Sequence, residues 1–402
     1  MSRTPSTGGS GISFEDVRRR NLSTIFRLVH YAGNMTRADL TEATGLNRST
    51  VSDLVAELVH GGLLEERPAA IRLGKGRPSL TVTPTATLVA LTVHLEVNGV
   101  VTGLVGLGGR VLTRTRRRTR RVPGIEETID LARSSLAELR ASLGRAMRLV
   151  GVGATVPGLV RVTDGVVRHA PHLGWDDVNL GAALAEALGA PTGVANDANA
   201  IVEAERLFGA GRGLSTIVLF NGDVSGIGGG VVIGGRLVEG ASGYTGELGQ
   251  TLLSPPTGVA GRTISRNLED EVNLRDLMHA LGRSTSDDAQ LDDLLAAADD
   301  DRLVKLVRYQ LGVLSLPVSW TVNVFNPEVV VLGGFLGSLY ATDPAFFSSL
   351  VRRQALPPAY QDVRIVRASL GGDARMIGAA ELGFREVLDN PVPETVQSIL
   401  LA

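Results

Sequence analysis

The sequence predicts an α/β protein in which a small helical module with a β-hairpin precedes a larger, two-lobed body. Three observations carry this reading. Residues 36–60 read as a short helix, a glycine turn and a second helix. From Ala86 the pattern changes to short apolar or alternating runs of strand type. After Ala198 the same plan of strands followed by helices begins again. A chain of 402 residues is long enough for two or three domains, each with its own core. Hydrophobic content of 44 % with 20 % charge is ordinary for a soluble globular protein.

Bulk composition also narrows the function classes. No stretch reaches the roughly 20 apolar residues of a membrane span, so no membrane partner is expected. The polar start, Met1 to Ser10, lacks the apolar core of a secretory leader, and a cytoplasmic location is expected. With no cysteine the chain has neither disulfides nor thiolate metal ligands. Residues 1–85 hold eleven Lys and Arg against eight Asp and Glu, about +3 in a chain of net charge −2. Only Lys75 and Lys305 are lysines, so arginine richness reflects a general bias toward Arg and is discounted as a functional signal.

Residues 1–12, rich in Ser, Gly, Thr and Pro, are expected to be a disordered tail. Residues 13–85 form the first domain. Its first helix runs from Phe14 to about Tyr31, with Val17, Ile25, Leu28 and Val29 as the core-facing positions. Thr36 is an N-cap with Asp39 three residues on, and that helix stops at Gly45. Asn47 caps the next helix, Arg48 to about His60, with Val51, Leu54, Val55 and Leu58 inward. This is the helix-turn-helix arrangement, whose second helix enters a DNA major groove by its N-terminal end. The candidate DNA-contacting residues are Thr36, Arg37, Asn47, Arg48, Ser49, Thr50 and Ser52. Residues 71–82 read as a hairpin wing carrying Lys75 and Arg77, placed to grip phosphates or a minor groove. The plainer alternative is a helical bundle with a solvated polar face. Order and spacing favour a winged helix-turn-helix, and the segment resembles the heads of bacterial repressors.

In the body, Leu88–Leu95 and Val100–Val105 are strands flanking Asn98-Gly99, a strong hairpin signal. A third strand starts at Arg110, and a helix (126–143) and a buried strand (149–155) follow. This order resembles an actin-like, ribonuclease-H-like lobe. Residues 86–197, completed by a C-terminal helix within 372–390, are expected to form the first lobe, and residues 198–371 the second. The run Arg114 to Arg121, with six arginines in eight residues, is read as an edge strand whose charges block sheet-to-sheet association rather than as a nucleic-acid patch.

Binding a polyol needs carboxylates and amides that pair with neighbouring hydroxyls, and glycines that let backbone approach. Asn196 and Asp197 stand where a strand ends and a helix begins, the usual edge of an α/β cleft. Glu247 follows a glycine-rich loop, Gly240 to Gly246. Singly, each is also what a helix cap or a surface acid looks like. Together, Asn196-Asp-Ala-Asn199, Ser225-Gly-Ile-Gly-Gly-Gly230 and Gly246-Glu-Leu-Gly-Gln250 resemble, in order and spacing, the sugar site of the ROK family of repressors, open reading frames and sugar kinases. The resemblance spans roughly residues 87–390 and includes Val156-Pro-Gly158, Ala170-Pro-His-Leu-Gly-Trp175 and Asn326 to Gly334. It implies that Asp197 stands where the kinases keep their catalytic base. It also implies that Asn196, Glu247, Gln250 and Glu269 bind sugar hydroxyls, with His172 in place of a common asparagine.

Three departures from the family pattern decide the functional expectation. The kinases' Asp-x-Gly-Gly-Thr phosphate loop is replaced by His94-Leu-Glu-Val-Asn98, whose Glu96 and Val97 repel and obstruct a triphosphate. The family's zinc site, one histidine and three cysteines, has Gln250 for the histidine and no cysteine. His172 is the third. The expected function is a DNA-binding transcriptional regulator, a repressor of carbohydrate genes, and not an enzyme, with no metal or cofactor. Its partners are a pseudo-palindromic duplex operator, a sugar or sugar derivative, and further copies of itself as a homodimer or tetramer. The rival readings are an ATP-dependent sugar kinase that kept Asp197, and a DNA-binding dimer that responds to no ligand.

Overall fold

Local capping sets the first elements. In the computed structural model, which describes residues 13–68, 80–143, 147–161, 163–253, 257–259, 262–264, 266–284, 291–297 and 300–391, α1 (Phe14–Ala32) opens on a capping box. The Ser13 hydroxyl accepts from the Asp16 amide, and the Asp16 carboxylate accepts from the Ser13 amide. Thr36 and Asp39 repeat the device at the start of α2 (Arg37–Thr44), just after β1 (Met35–Thr36). Gly45, at φ +67°, turns the chain into α3 (Arg48–His60), where the Asn47 side chain accepts from the Thr50 amide at 2.8 Å. β2 (Leu64–Pro68) and β3 (Leu80–Pro84) pair antiparallel, and β1 joins β3 on the other side. The wing tip expected at Lys75 and Arg77 lies outside the described residues. One expected core position differs: Val17 is 46 % exposed, because α1 begins more than a turn before its first buried residue, Leu22.

The body is two five-stranded sheets of one plan. In the first, β4 (Leu88–Glu96), β5 (Gly99–Gly106) and β6 (Arg110–Arg118) form an antiparallel meander. After α4 (Ile125–Leu143), β7 (Arg148–Val156) pairs parallel to β4. A small sheet of β8 (Leu159–Val160), β9 (Val167–Ala170) and β10 (Trp175–Val178) intervenes, then α5 (Leu180–Leu188), and β11 (Thr192–Asn196) pairs parallel to β7. The second sheet repeats this. α6 (Asp197–Phe208) leads to β12 (Ile217–Asp223), β13 (Gly226–Ile233) and β14 (Arg236–Leu237), again a meander. A two-stranded hairpin, β15 (Thr257–Val259) with β16 (Arg262–Ile264), precedes the helices α7 (Leu268–Glu271), α8 (Leu274–Ala280), α9 (Leu291–Ala297) and α10 (Asp301–Phe325). β17 (Val329–Gly334) then runs parallel to β12. Three helices, α11 (Phe335–Thr342), α12 (Pro344–Gln354) and α13 (Pro357–Tyr360), lead to β18 (Arg364–Arg367), parallel to β17, and α14 (Ala374–Asp389) closes the fold.

The arginine-rich segment is β6, at the edge of the first sheet. Arg116 pairs with Glu96 and Arg117 with Glu138, so part of its charge is neutralised within the lobe. The β4–β5 hairpin differs from expectation by one residue. Its turn is Val97-Asn98, Gly99 already belongs to β5, and neither turn residue has a positive φ. Gly99 is explained instead by close approach, since a Cβ there would collide with the Arg117 carbonyl of β6.

Helix α14 is the centre of the molecule. It lies against β4, β7 and β11 on one side and α6 on another. Backbone touches backbone along its length. A Cβ on Gly153 would strike the Ala379 carbonyl, one on Gly151 the Gly383 carbonyl, and one on Gly378 the Ala200 carbonyl. Buried residues of α1, α2, α3 and β3 (Phe26, Leu40, Leu54, Val82) form one continuous apolar cluster with Leu88, Val105, Met376, Ala380, Phe384 and Leu388. The helical head is thereby packed onto α14 and not merely tethered to it. Gly153→Ala is expected to destabilise the body by about 1–3 kcal/mol, because a packed core resists added volume. A denaturant midpoint unchanged from the parent would contradict this packing.

Candidate functional site

At the outer face of the head, the N-terminal turn of α3 presents Arg48 and Ser49 exposed and Thr50 half-buried. Arg48 has no partner among the described residues. Asn47 is occupied as a cap, accepting also from the Ser49 hydroxyl at 2.7 Å. Thr36 is likewise a cap. Arg37 grips Glu66 through two N–H groups at 2.8 and 3.0 Å and donates to Ser52 Oγ at 2.9 Å. Arg37 and Ser52 thus brace the recognition helix against β2, and Arg48, Ser49 and Thr50 remain as its forward polar face.

The second candidate site is a cleft built on the glycine strand. A Cβ on Gly228 would lie 2.9 Å from Ala198 in the first turn of α6. One on Gly229 would lie 2.8 Å from the Gly246 carbonyl, and one on Gly226 would collide with Glu269 Oε2. The absence of side chains on β13 thus brings together the segments that carry Asp197, Glu247 and Glu269. Asn196 caps α6, accepting from the Ala198 and Asn199 amides at 2.8 and 3.2 Å, and donates to the Gly158 carbonyl at 3.1 Å. Asp197 follows at the positive end of the helix dipole, where an anion is favoured. Glu269 accepts from the Ile227 amide at 3.1 Å and from Gln250 Nε2 at 2.6 Å, while Gln250 Oε1 accepts from Asn267 at 3.0 Å. His172 is exposed on the 3-10 turn Pro171–Leu173, and none of these hydrogen bonds reaches it.

Two residues that the sequence reading missed dominate the electrostatics. Arg375, in the first turn of α14, pairs with Asp223 at the end of β12 and lies 3.7 Å from Asp197. Burial pushes the Asp197 carboxyl upward; Arg375 opposes this and the Asp223 charge adds to it. Burial also raises Asp223, but Arg375, the Val224 amide and the neighbouring His94 together hold it below the ordinary range. His94 is buried, its pKa pushed well down by burial and then by the Arg375 charge, and its Nδ1 meets Thr155 Oγ1 at 3.0 Å. Glu247 is open to solvent at the cleft mouth, yet surrounding protein atoms raise its carboxyl, and the charges of Asp197 and Glu269 raise it further.

These residues do not fit the groups that sugar kinases of this kind hold. A phosphate nest needs convergent backbone N–H groups from glycines. Here the hairpin presents Glu96, paired with Arg116 at 2.6 Å, and an exposed Val97. Asp197, where the family resemblance implies a catalytic base, faces the Arg375 guanidinium at 3.7 Å. A closed zinc site needs thiolate or imidazole ligands, and the chain has no cysteine, with a glutamine amide at the expected ligand position. Among the described residues no cluster of His, Asp and Glu is arranged to hold a metal.

The cleft and the head are joined by the two helices that begin in the cleft. Phe208, at the far end of α6, packs edge-on against His30 and also against Tyr31 of α1. From α14, Glu381 accepts from His30 Nε2 at 2.8 Å, while His30 Nδ1 accepts from the Gly108 amide at 2.9 Å. Ser23 donates to the Leu388 carbonyl, and Arg27 pairs with Asp389. A cavity of about 200 Å³ lies behind α6 at this joint, lined by Arg27, Tyr31, Asn199, Arg206, Glu381 and Arg385 among others. Burial, with the Glu381 charge, pushes the Tyr31 hydroxyl up to about 12.

A helix-turn-helix head packed onto a two-lobed body of this plan is the architecture of a DNA-binding regulator. The ROK family model matches residues 93–386 and the IclR helix-turn-helix domain model residues 22–68. The chain belongs to the ROK family. It is 25 % identical to a putative xylose repressor from Caldicellulosiruptor sp. (strain Rt8B.4), over 93 % of this chain and 98 % of that protein. It is 31 % identical to the glucokinase of Thermotoga maritima, over 70 % of this chain and 92 % of the enzyme. In fold it is similar to a ROK family transcriptional regulator described as a homologue of the E. coli MLC protein, with a TM-score of 0.76, 23 % identity and coverage of 96 % and 100 %.

Replacing Arg375 tests the charge arrangement. Asp223, held below its unfolded value near 3.9, contributes stability above that pH and loses it as pH falls through its folded value. Arg375→Met leaves two carboxylates facing each other without a counter-ion. It is expected to cost about 3 kcal/mol at pH 7, with the deficit shrinking toward pH 4 as they take up protons. A deficit independent of pH in paired denaturation curves would refute the assignment.

Proposed function

We propose that this protein is a sugar-responsive transcriptional repressor acting in the cytoplasm as a homodimer on a pseudo-palindromic operator. The observation that carries this reading is the continuity of α6 and α14 from cleft to head. Asp197 and Arg375 stand at their N-terminal ends, and Phe208, Glu381 and Asp389 hold α1 near the other. At about 1.5 Å per residue, α6 spans roughly 18 Å. A ligand that pairs with Asp197, Glu247 and Glu269 draws the glycine strand toward the start of α6. A small change in the tilt of α6 and α14 then moves α1 and the recognition helix behind it. Such a ligand acts only by binding two arrangements unequally.

One head contacts few base pairs, so two heads at a fixed spacing are needed, and a two-fold dimer supplies them. Arg48, Ser49 and Thr50 are the residues to contact bases or phosphates, and Lys75 and Arg77, read as a wing from the sequence alone, would add phosphate contacts. The names of two relatives support a sugar effector: one is a xylose repressor and another an N-acetylglucosamine repressor.

The deciding experiment titrates the full chain onto DNA from its own promoter region, with and without xylose, glucose and N-acetylglucosamine. One of these is expected to weaken binding at fixed salt. Operator affinity that no sugar alters would favour the ligand-independent dimer. The same preparation with ATP and these sugars is expected to give no turnover. Arg48→Ala is expected to weaken operator binding by about 1–3 kcal/mol while leaving the melting temperature unchanged. Equal affinity of parent and variant in a fluorescence-anisotropy titration would remove α3 from the groove.

A further inference from the structure

We propose that the cavity behind α6, where head meets body, is a ligand site separate from the cleft and takes a small monocarboxylate with an apolar body. Two helix faces enclose it. Asn199, Glu203 and Arg206 recur at the spacing of one face of α6, and Gly378, Leu382 and Arg385 at that of one face of α14. Ala198 and Val202, which meet the glycine strand, lie on a different side of α6. The third wall is α1, through Arg27 and Tyr31. Of the candidate cleft residues only Asn196 reaches the lining, and its amide is committed to the α6 cap and the Gly158 carbonyl.

Three arginines and three glutamates border the cavity, and their pairing decides which charge it favours. Glu203 pairs with Arg206, Glu381 accepts from His30, and Arg27 is held by Asp389. Glu239 is exposed at the β14 side, where water screens it. Arg385 has no ion-pair partner among the described residues, and Arg206 engages Glu203 through Nε, leaving its Nη groups. Tyr31 accepts from Arg27 at 2.9 Å, while its own proton has no acceptor among the described residues. With its pKa pushed up to about 12, chiefly by burial, that hydroxyl keeps its proton at neutral pH and can donate it. A phenol O–H and arginine N–H groups are the donors that carboxylate oxygens accept. Val194, Leu207, Leu237 and Leu382 supply apolar wall. The volume of about 200 Å³ exceeds the roughly 150 Å³ of a cavity that holds benzene, so a single ring with its carboxylate fits.

The test is calorimetric titration of the full chain with benzoate, phenylacetate and cyclohexanecarboxylate, each against its uncharged amide. At least one acid is expected to bind at least about tenfold more tightly than its amide. Arg385→Leu, at an exposed position, is expected to abolish that margin and leave the melting temperature unchanged. Tyr31→Phe keeps the ring, removes the donor and is expected to narrow the margin. Because α1 forms one wall, acid and operator DNA are expected to alter each other's affinity by the same factor. Acids that bind no better than their amides, or that bind parent and Arg385→Leu equally, overturn the site and leave the sugar reading of the cleft untouched. Acid binding that leaves operator affinity unchanged overturns the link to the head.

Discussion

The rest of the structure depends on backbone-to-backbone packing of α14. A helix can approach a sheet this closely only where neither side carries a Cβ in the way. Gly151 and Gly153 on β7, and Gly378 and Gly383 on α14, clear that space. Three consequences follow from the same contact. The N-terminal end of α14 is carried into the cleft, where Arg375 meets Asp197 and Asp223. Its flank is set against α6, with Gly378 against the Ala200 backbone. Its C-terminal half is left to supply the apolar surface on which the DNA-binding head closes its core. Interiors so packed transmit displacement and do not absorb it.

The head was legible because its signals are local. A cap such as Thr36 with Asp39, or Asn47 before Arg48, is complete within four residues, and Gly45 marks the turn on its own. The doubled sheet plan was legible for a similar reason, since a meander and a parallel strand after a helix leave short-range patterns. The site was legible only in part. Asn196, Asp197, Glu247 and Glu269 share neighbourhoods that resemble a family pattern, but that pattern does not say what each side chain touches. Arg375 and Asp223 are 152 residues apart in the chain, and nothing around either names the other. The Asn98-Gly99 turn slipped by one residue for a related reason: Gly99 answers to Arg117 on β6, a non-local neighbour.

The same separation between local and distant causes bears on Gln250 and Arg37. Both were read as ligand-contacting groups, and both are engaged inside the protein. Gln250 bridges Asn267 and Glu269, joining the turn after Gly246 to the start of α7. That is the kind of cross-link a metal ion supplies elsewhere, achieved here by an amide that offers one donor and one acceptor in fixed directions. Arg37 ties α2 to β2 and to the recognition helix through a fork that only an arginine can make. Each fixes a neighbour that is better placed to meet a ligand.

An aspartate at the start of a helix in a sugar cleft has no role of its own. As a catalytic base it must be free to take a proton from a hydroxyl, beside a phosphoryl group held by donors that leave it unencumbered. In this chain Asp197 stands at the start of α6, but a guanidinium faces it, and the β4–β5 hairpin carries Glu96, paired with Arg116, and Val97 where the family resemblance implies a glycine-rich phosphate loop. What remains is an acceptor for hydroxyls at the end of a rigid helix. Free energy released there by a bound sugar has no chemical step to drive. On the proposed reading it goes instead into the relative stability of two placements of α6 and α14. Such a switch needs a ligand that binds the two placements unequally, and Arg375 beside Asp197 together with the head packed on α14 put cleft and DNA-binding helices on one element.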